Sequence, residues 1–439
     1  MNLNYVGSLA ERFMKFRSSL ATEENISENL FNAISIYVPK SLASNNLVEG
    51  SYQPLEITED KYAVISVTVD NYNDILKGEL KAQWKRVFND GANSAVTLYI
   101  IIFNDDEFAV TTTASTIEWS PLTKAFKDLY FISFFKVLFS EHYDGSKVES
   151  QYDDSNFFDM ALCLSALCED ESTLSMCLTE VHLAIPEDDV TDTNACKILT
   201  QTRGDETTHC TSFTGSDVTT RAQYFWGYLL LLGFNHTMLE VHNGSYMLPI
   251  ILGKWFERPN FSNEYIGNKL AKIRLSGAEV KPTGLPSPLD SDVNLNLSSK
   301  LYKNLDDKNV GYFISISGSS RNNAELIRER TGQNYPVTAY MMSRFIDYQT
   351  SQDIANFVSS NETLTNPVLT NEEAYKNIQS MLVANIQKFT GTKRITSITL
   401  NFPPFAKVKK GNSIEGTAVW SAFYVDDLES VNISGSISF

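Results

Sequence analysis

Ile395-Thr396-Ser397-Ile398-Thr399-Leu400, Val419-Trp420-Ser421-Ala422-Phe423-Tyr424-Val425 and Val431-Asn432-Ile433-Ser434-Gly435-Ser436-Ile437-Ser438-Phe439 are three runs near the end of the chain, and they decide how it is read. The first follows Gly391-Thr392-Lys393-Arg394, a glycine stop with basic residues after it, and is closed by Pro403-Pro404. Its parities are Ile395, Ser397, Thr399 and Thr396, Ile398, Leu400; the second run carries Val419, Ser421, Phe423 and Val425 on one parity. The third, after Asp426-Asp427, sets Val431, Ile433, Gly435, Ile437 and Phe439 against Asn432, Ser434, Ser436 and Ser438. Alternation of period two marks half-buried strands. The last run finishes on an apolar residue, and chain ends fray unless something ties them down. Such a strand pairs within its own sheet or adds itself to the sheet of a neighbour.

Working outward, helices are expected over 372–389, 351–358, 337–345 and 324–330, and a strand over 310–317. The segment Lys281-Pro282-Thr283-Gly284-Leu285-Pro286-Ser287-Pro288 is the best linker in the chain. Before it, strands are expected at 33–38 and 62–69, and a helix over 75–88 capped by Asn73 or Asp74 and stopped by Asn89-Asp90-Gly91. The run 95–103 suits a central strand buried on both faces, and strand, helix, strand in that order predicts a right-handed βαβ unit. Further helices are expected over 121–139, 157–168, 174–178, 218–232 and 263–276, a hairpin around Gly204-Asp205, and a strand at 246–251. Leu9, Phe13 and Phe16 can share one side of a short helix in an N-terminal arm.

The 439 residues exceed one ordinary core, and a hydrophobic content of 43% with 26 Phe and 20 Tyr supplies ample material for packing. The net charge of −17 is unevenly placed: residues 301–439 hold 13 basic and 13 acidic groups, so the whole excess lies in the first 300. An acidic solvated part and a neutral part able to pack against partners are expected, with no direct nucleic-acid or anionic-lipid binding. The first 20 residues lack a charged-then-apolar leader pattern, and no apolar run reaches membrane-spanning length. The five cysteines are therefore expected as free thiols of a cytosolic protein.

Motifs for chemistry are sparse. His209-Cys210 would point to opposite faces of a strand, and Cys163, Cys168 and Cys177 fit no zinc spacing and read as buried thiols. His236 and His242 flank a turn without further ligands, and Glu187-Asp188-Asp189 reads as a solvated loop. Gly318-Ser319-Ser320-Arg321 follows a strand but lacks the phosphate-loop pattern. Lys376, Lys388, Lys393, Arg394, Lys407, Lys409 and Lys410 gather in the C-terminal part. They are either a solvated face with favourable charges at a helix end or a patch for an acidic partner.

Lys308-Asn309-Val310-Gly311-Tyr312, the helix near 371–389, Gly391, the Pro403-Pro404 break and the closing strand together resemble the C-terminal core of bacteriophage contractile-tail sheath proteins. Gln223-Tyr224-Phe225-Trp226-Gly227-Tyr228-Leu229-Leu230 before Met247-Leu248-Pro249-Ile250-Ile251 is similar to that family's apolar helix and Leu-Pro strand. The likeness spans 220–439; the region 72–215 has no counterpart, and 321–332 replaces the family's Gly-rich segment. The resemblance implies a mixed α/β (α+β) multidomain subunit with a C-terminal α/β core and terminal strand-exchange arms. Its parts would be an arm 1–30, an acidic middle and outer domain 31–277, a linker 278–300, a core 301–425 and a strand arm 426–439.

Val431, Ile433, Ile437 and Phe439 would fill a neighbour's sheet, and Lys376, Lys388, Lys393 and Arg394 would face an inner tube. The implied partners are further copies in stacked, hexameric rings, the inner tail tube protein, and baseplate and tail terminator proteins. No cofactor, metal or catalytic residue is implied, and no membrane insertion. The setting would be the virion tail, assembled in the cytoplasm of a bacterial host. Two alternatives stand beside it: another self-assembling virion protein such as a tube or capsid subunit, and an α/β enzyme with its site at the end of the 95–103 strand or near Gly318.

Overall fold

Chain order gives β1 (Ala33–Pro39), α1 (Lys40–Asn46), β2 (Ala63–Val67), α2 (Tyr72–Ile75), α3 (Gly78–Trp84), β3 (Thr97–Phe103), β4 (Thr111–Thr113), β5 (Thr116–Glu118), α4 (Ser120–Leu129), β6 (Phe135–Leu138), β7 (Met176–Leu183) and β8 (Tyr228–Phe234). Then come β9 (Arg274–Leu275), β10 (Val310–Ser315), β11 (Ala324–Ile327), α5 (Val337–Ser360), α6 (Asn371–Gln387), β12 (Ile395–Asn401), α7 (Phe405–Val408), β13 (Lys409–Lys410), β14 (Ser413–Ile414), β15 (Thr417–Val425) and β16 (Ser430–Ser438). This is a computed structural model, and it describes residues 30–58, 60–88, 96–106, 111–113, 116–118, 120–139, 160, 163–168, 174–183, 228–234, 252, 274–275, 310–315, 324–327, 337–360, 371–391, 395–410, 413–414, 416–425 and 430–438. The arm residues Leu9, Phe13 and Phe16, the linker 278–300, Lys393, Arg394, Phe439, His209-Cys210, His236, His242, Gly318, the loop 187–189, the hairpin around Gly204 and the strand 246–251 lie outside the described residues.

The expected mixed α/β class is what the described residues form. Nine strands make one sheet in the order β2-β3-β1-β6-β7-β8-β10-β11-β9. From β3 to β10 every pairing is parallel, with Ile36 opposite Ile100 on one side and Val137 on the other. β1 is buried at all seven positions and β3 at six of seven, so neither strand has a solvent face to impose alternation. One face of the sheet, with Ile34, Ile36, Ile100 and Val137, joins a large apolar core under α1, α3 and α5. Leu122, Ala125 and Phe126 of α4 are buried, and Phe126 stacks on Tyr37 of β1 with ring centroids 6.5 Å apart. The sheet runs across 278–300, since β10 pairs with β8.

Several expected elements are corrected. The βαβ unit over 62–103 does not form, because β2 lies antiparallel on β3. β2 is an outer edge whose pattern exposes Val64 at 42%, and an edge strand with one wet face needs no crossover. The helix expected over 121–139 stops at Leu129, and 135–138 is β6. Phe134 to Phe139 are all buried, which a helix on a protein surface could not achieve but a central strand can. Residues 176–178, 228–232, 274–275 and 324–327 were also expected helical and are strands. Leucine-rich or Ala-Glu-Leu runs favour helix locally, and pairing within the sheet overrides that preference. The helix over 75–88 breaks into α2, α3 and a 3-10 turn, with Gly78 at φ 55° where Asn45 carbonyl leaves no room for a Cβ.

The C-terminal expectation of helix, glycine stop and three strands holds. α6 passes through a 3-10 turn to Gly391, and β12, β15 and β16 form an antiparallel sheet in the order β12-β15-β16. The buried parity of β15 is Ala418, Trp420 and Ala422, while Val419, Ser421 and Phe423 face outward. β16 pairs along nine positions with β15 of its own chain, Ile433 opposite Ala422 and Ile437 opposite Ala418. The two helices expected at 337–345 and 351–358 are one, the 24-residue α5. This helix joins both units. Phe31 before β1 meets Phe345 and Tyr348 at 5.4 and 5.5 Å, and Phe134 lies 4.7 Å from Phe31. Towards the small sheet, Asp347, only 2% exposed, accepts a 2.9 Å hydrogen bond from Trp420 Nε1. Gly435 sits against both groups, and a Cβ there would collide with Asp347 Oδ1 and the indole.

Gly435→Ala is expected to destabilise the protein by about 1–3 kcal/mol, because the indole and carboxylate cannot yield together. Trp420→Phe keeps the bulk but removes a donor from a buried carboxylate, for a loss of about 1–3 kcal/mol. Denaturant midpoints of the two variants against the parent chain check both expectations.

Candidate functional site

Ligands of open parallel sheets settle outside the carboxyl ends of the strands, where the strand order reverses. Here the chain leaves β1 for β3 on one side and then crosses to β6 on the other, so that place lies at the carboxyl ends of β3, β1 and β6. The polar groups described there are Lys40 and Ser41 after β1 and Asn104, Asp105 and Asp106 after β3. They are turned on each other. Asp105 accepts from Ser41 N at 3.0 Å and from the Ser41 hydroxyl, and Lys40 pairs with Asp106 at 2.8 Å. Asn104 Oδ1 accepts from Asp106 N at 3.1 Å. Asp105 therefore caps the start of α1 from a distant strand, a structural use of the carboxylate. This is where the enzyme alternative placed its site at the end of the 95–103 strand; the residues it brings together supply a cap and an ion pair.

A second constellation was missed by the sequence reading. Lys136, in the middle of β6, is fully buried. Its Nζ donates to Ser133 Oγ at 2.8 Å and to Tyr130 carbonyl at 2.9 Å, and it lies 5.9 Å from the centre of the Phe126 ring. Ser133 Oγ is 2.6 Å from Ser35 Oγ on β1, so the ammonium sits at the end of a chain of neutral oxygens. Loss of hydration pushes the Lys136 pKa down to about 7, with Cys168 nearby opposing the shift. Burial likewise pushes the Cys168 thiol well up, with Cys177 adding to the effect. Tyr37 is fully buried, its hydroxyl has no hydrogen-bond partner among the described residues, and burial above all holds its pKa well above the usual value. Cys163, Cys168 and Cys177 are buried, as their apolar neighbours suggested. The signal in the sequence was a lysine inside the otherwise apolar run 134–139.

A third feature is the small sheet. β16 is its edge, and among the described residues no strand pairs with its outer side. Between Ser430 and Ser438 it carries no charge and no proline, the usual blunting devices of an exposed edge. Val431, Ile433 and Ile437, expected in a neighbour's sheet, occupy register positions against β15 of the same chain. The outward face offers Val419 at 46% and Phe423 at 38% exposure beside a hydroxyl pair, Thr399 and Ser421, 2.8 Å apart. Of the expected tube-facing group, Lys376 pairs with Glu372 at 3.2 Å and Lys388 with Asp353 at 3.5 Å, both exposed contacts of small energetic weight.

Among the described residues no three His, Cys, Asp or Glu side chains group to hold a metal, and no helix is long and apolar enough to cross a membrane. No protein-family model matches the chain, and no curated protein matches it.

Lys136 gives a pH signature with a definite sign. The unfolded chain holds this proton to about 10.5 and the folded site releases it near 7, so between those values the unfolded state binds more protons. Stability therefore rises with pH across that window, by a few kcal/mol in all, and the penalty is fully present below it. Lys136→Met should be more stable than the parent at pH 6 and should flatten the rise between pH 7 and 10. Denaturation curves at several pH values check this.

Proposed function

We propose that the chain is a structural subunit of a contractile phage tail sheath, which stacks in rings around an inner tube and contracts to drive that tube through a host envelope. The observation that carries this reading is the open outer edge of β16, nine residues long, uncharged and free of proline. An edge of this kind is a template for strand addition, and main-chain pairing tolerates side-chain change while whole subunits turn about it. Support also comes from the order of elements at the C-terminus, in which α6, Gly391, β12, the Pro403-Pro404 break and the closing strands follow the pattern of sheath cores. In this proposal β16 stays on its own sheet and accepts a terminal segment of a neighbour, the arm 1–30 being the candidate donor. The exposed side of α6 with Lys376, together with Lys388 in the 3-10 turn after it, is the surface proposed to meet the tube, and virion tail is the proposed location. Main-chain pairing requires neither cofactor nor nucleotide.

Electron microscopy of the purified chain is expected to show striated tubes. Asn432→Lys with Ser434→Lys, at register positions opposite exposed Phe423 and Ser421, should leave the monomer folded and suppress the tubes. Unchanged tubes from the double variant would sink strand addition at β16. Dispersed monomers from the parent chain at every concentration would sink the sheath reading itself.

A further inference from the structure

Two small surfaces among the described residues each carry mainly one sign of charge. One is α7 with the β13–β14 hairpin. Lys407, Lys409 and Lys410 are exposed there, and no acidic residue occurs between Phe405 and Ile414. Its base is held firmly: the Tyr375 hydroxyl donates to Pro403 carbonyl, the Tyr375 and Phe405 rings lie 5.8 Å apart, and Val408 is buried. Lys407 and Lys409 form no ion pair with a described residue. The other surface is the turn before β2. From Glu49 to Tyr62 the sequence holds four acidic residues and one base, Lys61. Glu49, Glu56 and Asp60 are exposed, and none pairs with a described residue. Between them the 3-10 turn Pro54–Glu56 presents Leu55 at 96% exposure, and the turn leads into the edge strand β2 with Val64 half out.

We propose that the Lys407–Lys410 hairpin of one copy docks on the acidic turn 49–60 of a second copy, with Leu55 as the apolar centre of the contact. The argument for a second copy is complementarity: a compact cationic knob on a chain of net charge −17 finds its counterpart on every identical molecule. Because the two surfaces differ, the contact is head to tail, and repetition gives a ring or a filament. Single exposed ion pairs are weak, so three lysines facing three carboxylates act as a set and lose strength as salt rises. The proposal rests on the self-assembly reading but uses a surface separate from β16.

The test uses full-length chains in sedimentation velocity at low and high salt. Lys407→Glu, Lys409→Glu and Lys410→Glu together should weaken self-association about tenfold or more. Glu49→Lys, Glu56→Lys and Asp60→Lys together should do the same. An equimolar mixture of the two reversed chains should restore association, with circular dichroism confirming that each remains folded. Failure of either reversal to weaken association, or of the mixture to restore it, overturns the proposed pairing. If tubes persist with unchanged affinity in both reversed chains, the hairpin contact falls while the sheath reading stands. If the parent chain never self-associates, both fall. Retention on an anionic polymer without self-association would assign the hairpin to a polyanion instead and overturn the proposal.

Discussion

Trp420 crosses from β15 to α5, and its hydrogen bond to Asp347 fixes how the end of the chain is built. A carboxylate 2% exposed needs a donor, and the indole can supply one only if the small sheet sits at one height on the helix. Gly435 then has to lie directly opposite Trp420, where a side chain would not fit. That register places the rest of β16, and with it the open edge on which the assembly proposal turns. A polar contact inside a mainly apolar junction thus selects one arrangement where packing alone would accept several.

The helix that carries Asp347 also binds the large sheet through Phe345 and Tyr348 against Phe31. Covered from two directions, α5 shows no clean solvent stripe among its described residues, and the apolar core runs without a break from β1 to β12. The small sheet cannot shift on α5 without disturbing aromatic contacts at the start of β1. Such coupling makes the described core a single mechanical piece.

Buried and exposed polar groups divide by role. Lys136, Ser133 and Ser35 are spent on one another beneath α4, and Asp105 and Asp106 on the first turn of α1 and on Lys40. What the described surface offers to other molecules is main chain along β16, lysines on a short hairpin and carboxylates around Leu55. None of them sets a nucleophile beside a base.

The sequence by itself determined the C-terminal sheet, the helix before it with its glycine stop, the buried run of β3, the mixed α/β class and the placing of charge. Each rests on a local signal: period two, period 3.6, a glycine stop or a count of ionisable groups. Tertiary structure decided the remainder. A strand buried on both faces loses alternation, as at 135–138 and 176–178. β6 and β7 therefore read as helices until their neighbours in the sheet are known, and the leucine-rich β8 does the same. Lys136 interrupts an apolar run, and its burial is made tolerable by the Tyr130 carbonyl and the Ser133 hydroxyl, itself backed by Ser35 from another strand. The parity of β15 was visible in the sequence, yet which parity faced inward was settled by the shape of Trp420 against Asp347 and Gly435, three residues that no local pattern brings together.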